Sequence, residues 1–260
     1  MLRILSLFTC VIVSSTAVHA GVQSKKMTYK HGDVDCHGFL AWDDSIDGAR
    51  PGVLVVHEWW GLNDYARSRA EQLAELGYIA LAADMYGEGK TAAHPQEAGQ
   101  MAGKVRANVA DWRKRATAAL DVLKSHPQCD KTRLAVIGYC FGGSTALQLA
   151  FSGADIKAAV SFHGSLPTPT DAEVKQIKAR ILVCHGADDS FIPDASIKAF
   201  RDALDKGDAK YDFISYRGAK HSFTVPDADK HNNPGMKYDK AADEGSWKEM
   251  QALFRQTLKK

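Results

Sequence analysis

Apolar residues in this chain fall into short continuous runs, separated by longer stretches with helical spacing. The runs lie at 52–56, 78–83, 134–139, 156–162, 179–184 and 211–216. A short apolar run bounded by turn residues reads as a strand buried on both faces. Residues 65–76, 109–124, 144–151, 194–206 and 244–258 carry apolar positions at the helical period. Asn63 or Asp64 caps the first of these helices and Gly77 stops it. Residues 25–31 and 33–42 flank His31-Gly32 and predict an antiparallel entry hairpin. Residues 88–108 are polar and rich in Gly, Ala and His, and read as an excursion or lid. Buried strands alternating with helices predict an α/β protein whose mostly parallel central sheet is flanked by helices on both faces. Ligands of such sheets bind outside the carboxyl ends of the strands. That rule singles out Glu58, Asp84, Cys140, His163, Asp189 and His221, which all stand just after a predicted strand.

Length and composition sharpen this picture only slightly. The 260 residues, 45% hydrophobic and 25% charged, suit one large α/β domain. A formal net charge of +2 with no basic block gives no footing for a nucleic-acid partner. The start of the chain is different in kind. Met1-Leu2-Arg3 is a short basic lead, residues 4–13 are apolar, and Val18-His19-Ala20 is a small-x-small cleavage site. Residues 1–20 therefore read as a secretory signal peptide, cut near Ala20, that delivers residues 21–260 to the periplasm or the exterior. The apolar run is too short to remain as a membrane anchor. Cys10 lies inside it and is no lipid-attachment site. Export leaves Cys36, Cys129, Cys140 and Cys184. Among Cys36, Cys129 and Cys184 at most one disulfide can form, and the spacing does not choose it. No metal-ligand spacing is present, and His94, His126 and His231 are dispersed, so neither a metal nor a cofactor is expected. The oligomeric state is open, with a monomer favoured.

The most informative stretch is Leu134 to Ser144. An apolar strand runs into Gly138-Tyr139-Cys140-Phe141-Gly142-Gly143, and a small-residue helix follows. This is the plan of a nucleophile elbow with cysteine in the place of serine. The glycines leave room for a strained backbone at Cys140 and for close helix–strand approach. At a helix N-terminus the dipole and free N–H groups favour a thiolate and a developing oxyanion. A buried, inert cysteine before a glycine turn is the plainer alternative. Two further strand ends argue against it. Cys140, Asp189 and His221 occur in the nucleophile–acid–histidine order of the α/β-hydrolase triad. A thiol with a pKa of about 8.5 is only slightly ionised at neutral pH, so it needs a base. His221 would take its proton, and Asp189 would orient the imidazole. Asp188 competes with Asp189, but the Asp-x-x-apolar-Pro pattern of Asp189 to Pro193 favours the latter.

Together these motifs resemble the dienelactone hydrolases, a cysteine branch of the α/β-hydrolase fold. The resemblance rests on His57 to Asn63, Asp84 to Gly87, Gly138 to Gly143, Asp189 to Pro193 and His221 to Phe223, and spans nearly all of residues 21–260. It implies hydrolysis of a small-molecule carboxylic ester or lactone through an acyl-enzyme at Cys140. It also implies that Glu58 contacts the thiol and keeps it neutral until substrate arrives, and that the backbone N–H groups of Phe141 and Trp59 form the oxyanion hole. Trp60 and His163 are candidate pocket residues, although for His163 the structural reading, a loop residue after a strand, is the favoured one. One departure stands out. Val225 occupies the position, four after the histidine, where the founding enzymes carry a carboxylate-binding arginine. Arg106 is the candidate for a second family arginine. The substrate therefore stays open. Rival readings are a catalytically silent binding protein on the same fold, or an acyltransferase. His57 and His185 precede the turns and read as supports of backbone geometry. Asp84 reads as a loop cap, and Trp112 and Trp247 as core or interface.

Overall fold

The computed structural model describes residues 21–259. The proposed signal peptide lies outside the described residues. β1 (Val22–His31) and β2 (Val34–Asp43) form the entry hairpin. They are followed by β3 (Arg50–Val56), α1 (Asp64–Glu75), β4 (Ile79–Ala83), α2 (Pro95–Arg106) and α3 (Val109–Lys124). β5 (Cys129–Tyr139), α4 (Phe141–Phe151), β6 (Ala158–Phe162) and α5 (Asp171–Gln176) make the middle of the chain. β7 (Arg180–Gly186), α6 (Asp194–Lys206), β8 (Tyr211–Tyr216), a 3₁₀ turn (Ala228–His231) and α7 (Lys240–Thr257) complete it.

The eight strands form one sheet in the order β1-β2-β4-β3-β5-β6-β7-β8. β3 to β8 run parallel, and the hairpin joins antiparallel through β2 and β4. The unbroken apolar runs follow from covering both faces. Along β3, Val53 and Val55 face Ala66, Ala70 and Leu73 of α1 and Met250 and Phe254 of α7. Leu54 and Val56 face Leu120 and Leu123 of α3 and Leu147 of α4 on the other side. Alternate residues of a strand point to opposite faces, so a strand between two helix layers must be apolar throughout.

Several elements differ from the sequence reading. β5 and α7 begin at Cys129 and Lys240, ahead of the predicted 134 and 244, and three further elements also differ. α4 starts at Phe141, three residues before the predicted 144, and is buried along its whole length. Residues 88–108 contain α2, started by Pro95 at its first turn and held by buried Ala98 and Ala102. α5 is not predicted by the apolar pattern, yet Thr170 and Glu173 form a full capping box at its start. No helix among the described residues is long and apolar enough to cross a membrane.

Candidate active site

Six parallel strands, β3 to β8, deliver polar residues to one edge of the sheet. Cys140 is the pivot. It is the N-cap of α4, with φ 52° and ψ −112°, a left-handed conformation that a side chain rarely adopts. Its N–H donates to the Phe162 carbonyl at 3.0 Å. The neighbouring glycines let the chain turn this tightly. A Cβ on Gly138 would lie 2.0 Å from the Gly142 oxygen, and one on Gly142 would lie 2.1 Å from the Val56 oxygen. All four cysteines among the described residues are unpaired, and Cys140 alone of them is not buried. Burial pushes the thiols of Cys36 and Cys129 up to about 11, and that of Cys184 higher still. These three are packing residues.

His221 and Asp189 meet. The Nδ1 of His221 lies 2.8 Å from Asp189 Oδ2, and both residues are buried. Asp189 Oδ1 also accepts from the Phe191 N–H at 2.9 Å. Asp188 is exposed, so the carboxylate at the ring is Asp189. The His221 loop is tied at both backbone ends. Its N–H donates to Gly235 at 3.1 Å, and its carbonyl accepts from Lys237 at 3.1 Å. His221 is held well above the ordinary histidine range. Burial opposes the charge, but the adjacent Cys140 and Asp189 outweigh it through charge and hydrogen bonding.

Glu58 is 3% exposed and accepts a hydrogen bond from Ser222 Oγ at 2.7 Å. Among the described residues no hydrogen bond joins Glu58 to Cys140; its carboxylate turns to the residue after His221 instead. Burial raises its carboxyl above the usual range, and the Ser222 bond and the His221 charge only partly offset this. His163, a candidate pocket residue, is instead sealed inside the protein, with 0% exposure and φ 41°. Its Nε2 bonds Thr224 Oγ1 at 2.8 Å, and its ring packs edge-on against His221 at 5.3 Å. Its Nδ1 has no partner and lies 4.0 Å from Glu58. Burial, with the charges of His221 and Arg69 adding to it, pushes His163 well below the histidine range. A fully enclosed ring cannot line an open pocket, so His163 supports the site from beneath.

Trp59 is half-buried, and neither its N–H nor that of Phe141 has an acceptor among the described residues. Trp60 lines a separate cavity of about 470 Å³ with Asn63, Arg67 and Thr91, and stacks on His231 at 4.3 Å. A second cavity, of about 390 Å³, lies between α2 and the loop after β7, lined by Arg106, Val109, Trp112, Leu166, Phe191 and Ile192. Arg106 sits 5.4 Å above the Phe141 ring and Phe191 packs 5.0 Å from the His221 ring, so this cavity adjoins the elbow. Val225 is buried and brings no charge to it. Asp84 accepts from four backbone N–H groups, those of His37, Tyr86, Gly87 and Gly89, at 2.8–3.0 Å, as a loop anchor does. The sequence carries no signal for the Ser222 contact. No cluster able to hold a metal is found among the described residues.

The profile of the Dienelactone hydrolase family matches residues 37–258, most of the chain. The chain belongs to the dienelactone hydrolase family. A Salmonella typhimurium relative bearing the name "Putative carboxymethylenebutenolidase" is 30% identical over 260 residues, covering 95% of this chain and 91% of the relative. The crystal structure of a dienelactone hydrolase-like promiscuous phosphotriesterase from metagenomic libraries superposes with a TM-score of 0.89. It is 39% identical, with 92% of this chain and all of that chain covered. A dienelactone hydrolase from Anabaena variabilis, 22% identical with a TM-score of 0.66, shares the fold over 92% of this chain and all of that one. The dienelactone hydrolase family places the chain in the α/β-hydrolase fold and among hydrolases.

Proposed function

We propose that this chain hydrolyses carboxylic esters or lactones with Cys140 as nucleophile, His221 as general base and acid, and Asp189 as its orienter. The observations that carry the reading are the strained Cys140 at the start of α4 and a buried His221 whose Nδ1 is held by Asp189 at 2.8 Å, with the Cys140 sulfur among the groups that raise the pKa of the imidazole. With Nδ1 engaged, Nε2 is the nitrogen free to exchange protons with the sulfur. The sulfur passes its proton to Nε2 and attacks the carbonyl carbon. The carbonyl electron pair moves to oxygen, where the N–H groups of Trp59 and Phe141 receive it. Collapse re-forms the carbonyl, breaks the C–O bond and expels the alcohol, which takes the proton from Nε2. Water then gives a proton to Nε2 and attacks the thioester. The tetrahedral adduct collapses, the C–S bond breaks, the sulfur takes back the proton from Nε2, and the acid is released. Glu58 acts as the regulator of the thiol, and its bond to Ser222 represents the position withdrawn from the sulfur.

The adjoining cavity is mostly apolar with one cation, Arg106. It suits neutral or singly anionic esters with an apolar or aromatic group. The likeness to a promiscuous phosphotriesterase adds aryl phosphotriesters to the substrates worth assaying. We further propose that the chain is exported. N-terminal sequencing of the periplasmic or secreted protein should begin at Gly21, and a chain that keeps Met1 would refute it. The decisive experiment for the chemistry is Cys140→Ala on a panel of aryl esters, lactones and an aryl phosphotriester. Hydrolysis should disappear, and retained turnover in the purified variant refutes the nucleophile.

A further inference from the structure

The peptide between Glu58 and Trp59 carries one of the two oxyanion donors, and it is gripped by groups with no task in the reaction as written. His57 is fully buried. Its Nδ1 bonds the Glu58 carbonyl oxygen, and its Nε2 lies 3.2 Å from the Met85 backbone nitrogen. A backbone N–H can only donate, so Nε2 accepts and the ring proton sits on Nδ1. Burial holds this imidazole down at about 4, so the neutral ring and its tautomer persist through the neutral range. The next carbonyl, that of Trp59, accepts from the Tyr86 hydroxyl at 2.7 Å. In a trans peptide the C=O and N–H point in opposite directions. Fixing the Glu58 oxygen therefore fixes the Trp59 N–H on the far side of the peptide plane.

The same two rings reach the second donor. His57 stacks on Phe141 at 5.9 Å, and Tyr86 packs against both, 4.9 Å from His57 and 5.7 Å from Phe141. Their own loop is pinned by Asp84, which accepts from Tyr86 at 3.0 Å and from Gly87 at 2.8 Å. A donor that is held before charge develops need not reorganise when it does.

We propose that His57 and Tyr86 are positioning residues that clamp the Glu58–Trp59 peptide and thereby aim the Trp59 N–H at the oxyanion. The role rests on the ester-hydrolysis reading above. It acts only where an oxyanion forms. Loss of the clamp therefore lowers kcat and kcat/KM together, leaves KM in place, and spares reactions of Cys140 that build no oxyanion.

Three variants test it. His57→Phe keeps a stacked ring and loses both hydrogen bonds, His57→Asn restores a donor near the Nδ1 position, and Tyr86→Phe removes only the hydroxyl. Each is assayed for hydrolysis of a p-nitrophenyl ester, for alkylation of Cys140 by iodoacetamide, and for affinity to an aryl trifluoromethyl ketone. That ketone bonds its carbonyl carbon to the sulfur and moves the carbonyl pair on to oxygen, so it reports the oxyanion site. A donor misplaced by about 1 Å can cost about 100-fold. His57→Phe should lower kcat by about 30- to 100-fold and weaken the ketone by a similar factor, with KM and alkylation within about twofold. Tyr86→Phe should lose about tenfold, and His57→Asn should recover most of the His57→Phe loss. Full kcat in His57→Phe and Tyr86→Phe overturns the clamp. So does an equal fall in alkylation, which would mark general damage. If His57→Phe does not fold, Tyr86→Phe decides by the same readouts. The two claims fail separately. Turnover in Cys140→Ala overturns the nucleophile, whereas an inactive Cys140→Ala beside a full-rate His57→Phe overturns the clamp alone.

Discussion

Replacing Gly138 with alanine tests the elbow through stability, independently of any substrate. Gly138 lies in β5 with φ outside the positive range, so its backbone alone does not require glycine. On backbone entropy, alanine should stabilise by about 0.4–1 kcal/mol. The contacts predict the opposite sign. The added Cβ would meet the Gly142 oxygen at 2.0 Å, the Gly142 carbonyl carbon at 2.1 Å and the Gly143 nitrogen at 2.8 Å. All three are backbone atoms, so no side chain can swing aside. Reaching ordinary contact requires α4 to retreat by about 1.4 Å, and α4 is buried along its whole length. Overpacking costs about 1–3 kcal/mol where side chains yield, and this case belongs at or above about 3 kcal/mol. For a chain of this size that lowers Tm by about 6–12 °C. Gly103 is the control. It is exposed in α2, an added Cβ there would meet nothing within 4 Å, and alanine should raise Tm by about 1–4 °C. Thermal unfolding followed by circular dichroism reads both. A Gly138→Ala protein that melts at or above the wild type, beside a Gly103→Ala protein that behaves as expected, refutes the close-approach reasoning.

Asp189→Asn keeps the shape of the side chain but removes the charge that steadies the His221 imidazolium, and kcat should fall about 10³- to 10⁴-fold with little change in Tm. A loss under about tenfold in steady-state kinetics would show that another group does this work. Glu58 carries a stability signature with a definite sign. Its folded carboxyl is raised by burial from 4.5, so its contribution is full below that value and is lost as pH rises through the folded one. Glu58→Gln keeps an oxygen for Ser222 and removes the titration. Its Tm should fall less than that of the wild type as pH rises above 4.5, and parallel curves would contradict the assignment.

The sheet is legible because burial on both faces leaves a local trace. β8, α3 and α6 have the bounds that their apolar periods predict, at 211–216, 109–124 and 194–206. The start of α4 is hidden because Gly142 and Gly143 are poor helix formers and read as turn. Their presence is explained by contacts no local pattern shows, with the Val56 backbone and Ser161. α2 is masked by the same polar, glycine-bearing composition that suggests a lid. For α5 the signal is present in Thr170 and Glu173, but the helix is too short to show an apolar period.

By itself, the sequence determined which residues stand at strand ends and that Cys140 sits on a turn needing glycine neighbours. Those properties depend on short-range sterics and on the period of burial, both written in consecutive residues. Only the tertiary structure decided which polar groups meet. Ser222 reaches Glu58 across 164 residues, His163 is sealed beneath the site, and Trp60 turns to His231. The direction of a side chain at a strand end is set by the loops folded over it. Hydrogen bonds and burial between distant segments, which no local period encodes, choose those loops' paths.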